Sequence, residues 1–280
     1  MQTSSEQAGY VLGHEALELE RLERQGQFLK ALTRDVFVRA GLRPGMRVLD
    51  FGAGAGDVSL IAAGLVGAAG SVLGLERAPE AVQRARGRMA ALGMRNVEIR
   101  QGDLEDPAVF AALGTFDAIV GRLVLLHQRD AAATVARLAS LLRPGGVIAF
   151  HEIEIGAGCW SSPALPLLDA SFGWITGPFL ATGMPTDIGA RMGDGFARAG
   201  LVDTNVMLEG RVEAGPESGA YEFMVRTVRS LLPLALRLGL TTAEAVDVDT
   251  LEERLRDEAV ASKARFIPAF FSAGWARRPA

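Results

Sequence analysis

Short apolar runs alternate with amphipathic stretches between residues 46 and 153. The pattern predicts strands at 46–51, 71–76, 97–101, 116–120 and 146–153, and helices at 57–67, 79–92 and 130–142. Short connections between such units imply right-handed crossovers and a parallel sheet covered on both faces, with ligands at the carboxyl ends of the strands. Ahead of this block, residues 14–40 are charged and amphipathic. Leu22, Leu29, Leu32 and Val36 recur there at helical spacing until Gly41-Leu-Arg-Pro-Gly stops the pattern. After it, residues 156–186 are rich in Gly, Pro, Trp and Phe without a clean period, as expected of a cap. A helix at 187–199, a strand at 203–213, helical stretches at 217–238 and 249–262 and a last apolar strand at 266–276 follow. The division expected is a leading helical segment (1–40), a core (41–155) and a final part (156–280) holding the cap, a helical insertion and the strands that complete the sheet.

Residues 58–75 carry no charge and are long enough to suggest a membrane span. The internal glycines and the flanking Asp57 and Glu76 favour a buried helix, a turn at 67–70 and a buried strand instead. Glu6, Glu15, Glu18 and Glu20 interrupt the first residues, so no signal core is expected and the segment should remain in the mature protein. The net charge of −4 offers no basic face for a nucleic acid. A single cysteine, Cys159, rules out an internal disulfide and a cysteine metal cluster, which points to the cytoplasm. No membrane association is expected, and a homodimer stays open as the assembly.

The most specific chemistry sits where the first strand ends. Val48-Leu-Asp-Phe-Gly-Ala-Gly-Ala-Gly56 runs a strand into a glycine turn at Gly52, Ala53 and Gly54, with Asp50 just before it. A dinucleotide fingerprint would need its third small residue at Asp57, and an acid there opposes a pyrophosphate. A ligand without phosphate suits the site better. Glu76 ends the second strand at the distance where a carboxylate accepts from a ribose diol, with Arg77 beside it. Gly102 and Asp103 close the third strand, where Asp103 can receive an adenine amino group with Leu104 against the ring. Asp50 reads equally as a helix cap or a buried structural acid, and Glu76 as a cap for the helix that begins near Pro79.

This order of strand, glycine loop, strand-Glu and strand-Gly-Asp resembles the class I S-adenosylmethionine-dependent methyltransferases. Phe116-Asp-Ala-Ile-Val120 looks like their fourth strand, and Leu142-Arg-Pro-Gly-Gly-Val-Ile-Ala-Phe150 like their turn into the fifth. The resemblance covers roughly residues 40–155 and continues more weakly to the C-terminus. It implies a Rossmann-like, doubly wound α/β fold with a seven-stranded sheet, mostly parallel with an antiparallel last strand, plus a helical lid and cap insertions. It also implies S-adenosyl-L-methionine as cofactor and a leading segment folded over it, which would bring Tyr10, Gln25 and Phe28 to the ligand. A leading helix that simply packs on the core is the other reading.

Methyl transfer to oxygen or nitrogen also requires a proton acceptor, and histidine is the usual base. His127 follows the fourth strand and His151 lies near the exit of the fifth, so both belong to the ligand edge. Each is a candidate catalytic base, against a structural imidazole or a cofactor contact, and His14 in the leading segment is a weaker third. Arg122 stands where a cofactor or substrate carboxylate would lie, or pairs with Asp50, Asp117 or Glu152. His151, Glu152 and Glu154 invite a metal, but strand alternation sends His151 away from both acids, so no metal is expected. Trp160, Trp174 and Phe179 line either an aromatic or polyketide-like acceptor pocket or an ordinary cap core.

Base-amine and glutamine methyltransferases resemble one another in an Asn/Asp-Pro-Pro-aromatic tetrapeptide where this chain has Gly121-Arg-Leu-Val, and Cys159 lacks the Pro-Cys context of a cytosine C5 enzyme. The acceptor expected is therefore a small organic molecule, methylated at oxygen, nitrogen or activated carbon, with natural-product biosynthesis as the setting. Two rivals remain. One keeps the cofactor structurally and steers a cyclisation or rearrangement; the other is a nicotinamide oxidoreductase.

Overall fold

The uncharged residues 58–75 fold as a buried helix, a glycine turn and a buried strand. Gly70 makes the turn tight, since a Cβ there would stand 2.6 Å from the Met46 carbonyl. The computed structural model describes residues 16–280, with side chains described at Gly26 and from Phe28 onward. The chain divides into two compact units.

The first unit comprises residues 22–154, 187–209 and 271–280. It contains, from the leading helix α1 (Ala16–Ala40) onward, β1 (Arg47–Phe51), α2 (Asp57–Val66), β2 (Ser71–Glu76), α3 (Pro79–Ala91), β3 (Val97–Gln101), α4 (Pro107–Leu113), β4 (Phe116–Arg122), α5 (Ala131–Ala139) and β5 (Leu142–Ile153). The second unit takes the residues up to 21, and so the start of α1, together with residues 155–186 and 210–270; it supplies β6 (Trp160–Ser162) and α6 (Pro166–Ala181) before the chain returns to the first for α7 (Ile188–Arg198) and β7 (Val202–Glu209). It then supplies α8 (Ala220–Arg237), α9 (Ala243–Val246), α10 (Leu251–Ala261) and β8 (Arg265–Ile267), and β9 (Phe271–Arg277) completes the first unit.

Seven strands form one sheet in the order β3-β2-β1-β4-β5-β9-β7. The first five are parallel, and β9 runs antiparallel to both β5 and β7. This is the Rossmann-like sheet with an antiparallel final strand expected above. On one face Val36, Phe37 and Ala40 of α1 pack with Val58, Ile61, Ala62 and Val66 of α2 over Val48, Val120, Ala149 and Ala273. On the other, α7 approaches β9 so closely that a Cβ on Gly274 would meet the Met192 sulfur at 2.7 Å.

Four expectations need correction. The last strand of the main sheet begins at Phe271 rather than at 266, because Phe266 and Ile267 pair with Ser161 and Trp160 in a separate two-stranded sheet. β7 ends at Glu209 instead of 213, with Glu213 contributing only an isolated bridge to Phe266. A short helix, α4, lies between β3 and β4 where none is expected, although Asp106 caps it through Ala108 N and Pro107 opens it, a recognisable start signal. The stretch at 156–186 holds a sixteen-residue helix, α6. Its residues 170–186 carry no charge, and Phe172, Ile175 and Phe179 are all buried, so no polar face marks its period.

Candidate functional site

The carboxyl ends of β1, β2, β3, β4 and β5 carry most of the polar groups singled out by sequence. Gly52, Gly54 and Gly56 all have positive φ, and the amides of Gly52 and Ala53 both donate to the Leu75 carbonyl, at 2.9 and 3.1 Å. This ties the loop back to β2. Gly54, at φ 52°, has nothing within 4 Å of the position its Cβ would take. Glu76 grips the same residue: Oε2 accepts from Gly54 N at 2.9 Å and Oε1 from Ala78 N at 2.9 Å, the residue that precedes α3. The capping and ligand readings of Glu76 are therefore compatible, since each carboxylate oxygen keeps a lone pair for a second donor.

Gly102 N donates to the Glu76 carbonyl at 2.9 Å, which brings the end of β3 beside that of β2. Asp103 is exposed and its Oδ1 accepts from Glu105 N, whereas Leu104 is buried. Arg77 is exposed on the same edge. Glu76 is thus a fixed acceptor beside the open position at Gly54, with the buried Leu104 next to the exposed Asp103.

Asp57 opens α2 and is held by Arg88 at 2.9 Å. α1 crosses directly above, where a Cβ on Gly26 would collide with the Asp57 carboxylate. Farther along α1, the buried Thr33 bonds His151 Nδ1 at 3.0 Å and receives Arg122 Nη1 at 3.3 Å. Thr33 was missed by sequence reasoning; its only signal is one hydroxyl at a core position of an amphipathic helix. Arg122 thus reaches α1, while the carboxylates of Asp57, Asp50 and Glu152 act on it through space. Asp117 is not its partner, being taken by Arg47 N at 2.8 Å and by Arg143 at 2.7 Å.

Asp50 is fully buried and accepts from Ser59 Oγ at 2.6 Å through Oδ2, leaving Oδ1 without a partner among the described residues. Burial pushes its pKa up to about 7, and the bonds to Ser59 and the field of Arg122 only partly oppose this. The folded state therefore holds a proton that the unfolded chain releases near pH 3.8, so its contribution to stability falls as pH rises from about 4 to about 7. Asp50→Asn lacks this dependence. The stability of wild type relative to the variant should fall by on the order of 2–4 kcal/mol across that window, measured by urea unfolding at both ends.

The two candidate bases differ in setting. His127 lies half-buried in the single turn Leu125–His127 that follows β4. His151 is fully buried on β5, tilted against Phe271, with its Nε2 3.4 Å from Glu209 in a geometry that makes no hydrogen bond. Burial and then Arg122 lower its pKa to about 3, which keeps the imidazole neutral. Glu152 and Glu154 point to the opposite side of the strand: Glu152 accepts backbone amides of the turn after β4, and Glu154 bonds Gly189 N and Ser272. Among the described residues no three His, Cys, Asp or Glu side chains gather to hold a metal, and no helix is long and apolar enough to cross a membrane.

Trp160, Trp174 and Phe179 belong to the second unit. Trp160 on β6 is 44% exposed, Trp174 on α6 is half-buried, and Phe179 is buried. Phe28 on α1 is half-buried. Tyr10, His14 and the Gln25 side chain lie outside the described residues.

A family profile for a methyltransferase domain matches residues 42–166. Aklanonic acid methyltransferase DauC of Streptomyces sp. (strain C5) is 37% identical over 122 residues, 44% of this chain and 54% of that protein. Nocamycin O-methyltransferase of Saccharothrix syringae is 36% identical over 122 residues, 44% of this chain and 43% of that one. The chain thus spans about half the length of the curated relatives it matches. Among solved structures, the [4+2]-cyclase SpnF superposes with a TM-score of 0.53 at 18% identity, covering 90% of this chain and 82% of its own, a likeness of fold alone.

Proposed function

We propose that this protein, whose residues 42–166 match a methyltransferase-domain profile, is a class I S-adenosylmethionine-dependent methyltransferase that methylates a small organic molecule at oxygen, nitrogen or an activated carbon, in a natural-product pathway. The observation that carries the reading is the Glu76 carboxylate locked between Gly54 N and Ala78 N, an acceptor held at the loop's open position. The relatives matched over 122 residues are named for aklanonic acid and nocamycin, which supports a small acceptor.

When bound, the cofactor supplies an electrophilic methyl group on a sulfonium whose departure leaves a neutral thioether. The chain's part is alignment, water exclusion and proton handling. Glu76 accepts from the ribose diol, Asp103 from the adenine amino group, and Leu104 covers the ring. Gly54 gives backbone access, while Gly52, Ala53 and Gly102, whose amides are tied to the Leu75 and Glu76 carbonyls, shape the loop around the ligand, with Arg77 at the rim and Asp50 beneath the loop. Arg122 offers its guanidinium to a carboxylate.

His127, half-buried on a turn at the strand ends, is the better base. His151, neutral and enclosed by Thr33 and Phe271, serves to seat α1. Trp160, Trp174 and Phe179 are proposed as acceptor contacts, as is Tyr10.

The test is a screen of small hydroxylated, amino and enolisable acceptors with methyl-labelled donor. Transfer predicts one S-adenosylhomocysteine released per labelled product. Product formation without S-adenosylhomocysteine would instead identify a cyclisation or rearrangement, which no observation here favours.

A further inference from the structure

Glu152 is a carboxylate with no exposure, placed by strand alternation on the face of β5 opposite His151. Its partners are three consecutive backbone amides of the turn after β4. Oε1 accepts from Val124 N at 3.0 Å and Leu125 N at 3.1 Å, and Oε2 from Leu126 N at 3.4 Å. The turn then closes on itself through His127 N to the Val124 carbonyl and Gln128 N to that of Leu125. Its entry is the left-handed Leu123, φ 52°, whose amide donates to the His151 carbonyl at 3.0 Å.

The side chain this turn delivers is Val124, and its place is narrow. Its Cγ2 lies 2.5 Å from where a Cβ on Gly52 would stand, and its Cγ1 2.9 Å from that of Gly121. Val124 is thus wedged between the cofactor-loop glycine and the glycine of β4. His127 follows three residues later.

A buried carboxylate satisfied mainly by amides costs more to desolvate than an apolar side chain of similar size. Burial dominates its environment and raises the group's pKa to about 7, against the three amides and the field of Arg122. A group retained at that cost is explained by the geometry it imposes, because a carboxylate accepting several N–H bonds fixes backbone that has no sheet or helix partner of its own.

We propose that Glu152 is a positioning residue that holds the turn after β4 in the form presenting Val124 to the glycine loop and His127 to the strand ends, so that cofactor affinity depends on a side chain lying outside the cofactor site. The inference rests on the methyltransferase reading above for its ligand.

The experiment compares wild type with Glu152→Gln, a near-isostere that replaces one acceptor oxygen with a donor amide facing a backbone N–H. Hydrogen exchange read by mass spectrometry should accelerate about 10- to 100-fold in peptides spanning 123–128 while the strands of the main sheet keep their protection. S-adenosylhomocysteine binding, measured by calorimetry at a temperature where both proteins are folded, should weaken about 5- to 10-fold. If Glu152→Gln does not fold, Glu152→Asp carries the same two readouts, since it keeps the charge but withdraws it by one methylene.

Unchanged exchange at 123–128, exchange accelerated uniformly across the sheet, or unchanged affinity with a loosened turn would each overturn the proposal. A wild-type protein that fails to bind S-adenosylhomocysteine would instead reject the methyltransferase reading itself.

Discussion

Glu76→Ala should weaken S-adenosylmethionine binding by about 100-fold, the loss expected when charge-assisted hydrogen bonds are removed from a half-buried site. The carboxylate has two tasks: it bonds Gly54 N and Ala78 N in the protein and, in the proposed complex, accepts from the ribose diol. Alanine removes both. The glycine loop then loses its tether to the end of β2, and the ligand meets two amides that prefer water. Glu76→Gln, which keeps one acceptor, should lose only about 10-fold. Because alanine also leaves Gly54 N and Ala78 N without their acceptor, its melting temperature should fall by about 2–4 °C, and that of the Gln variant by less. Titration calorimetry beside thermal unfolding reads both quantities, and an Ala variant that binds as tightly as wild type would remove Glu76 from the site.

The second large effect falls on stability. Gly52 adopts φ 71°, and a Cβ there would stand 2.5 Å from Val124 Cγ2 and 3.2 Å from its Cβ. Gly52→Ala therefore incurs the left-handed penalty of about 1–2 kcal/mol together with overpacking of about 1–3 kcal/mol. A total near 3 kcal/mol lowers the melting temperature by roughly 6–12 °C for a protein of this size. Adding Val124→Ala removes the 2.5 Å contact but keeps the 3.2 Å approach to its Cβ and the dihedral strain, so the double variant should recover only part of the loss. Full recovery would mean that the dihedral costs nothing; no recovery would place the clash elsewhere.

The parts of the site legible in the sequence are those whose partners lie close along the chain. The run from Val48 to Gly56 declares a strand, a turn and a helix start, and Glu76 falls at the end of the next strand, so register alone brings it beside Gly54. Asp57 stands at a helix start as the sequence implies, but its ion pair with Arg88 is not legible there, because nothing in the α3 pattern marks one arginine among several.

The sequence does not mark Thr33, and it offers Glu152 only as a partner of Arg122 or a metal ligand, for a related reason. Thr33 meets His151 across 118 residues of sequence, and Glu152 binds amides, which carry no residue identity to recognise. The small sheet of β6 and β8 escaped because Phe266-Ile267 has the composition of any apolar strand, and composition does not name a partner. Conversely, His151 reads as a base in sequence because it lies near a strand exit, whereas the helix above it removes it from water.

The measurement that bears most directly on the central claim is a calorimetric titration of the wild-type protein with S-adenosylmethionine and, separately, with NADH. A glycine loop gripped by Glu76, with Asp57 opening the helix beneath it, predicts micromolar binding of S-adenosylmethionine and none of NADH. NADH binding in the absence of S-adenosylmethionine binding would contradict the account, because the loop would then accept a pyrophosphate despite the acid at its helix start.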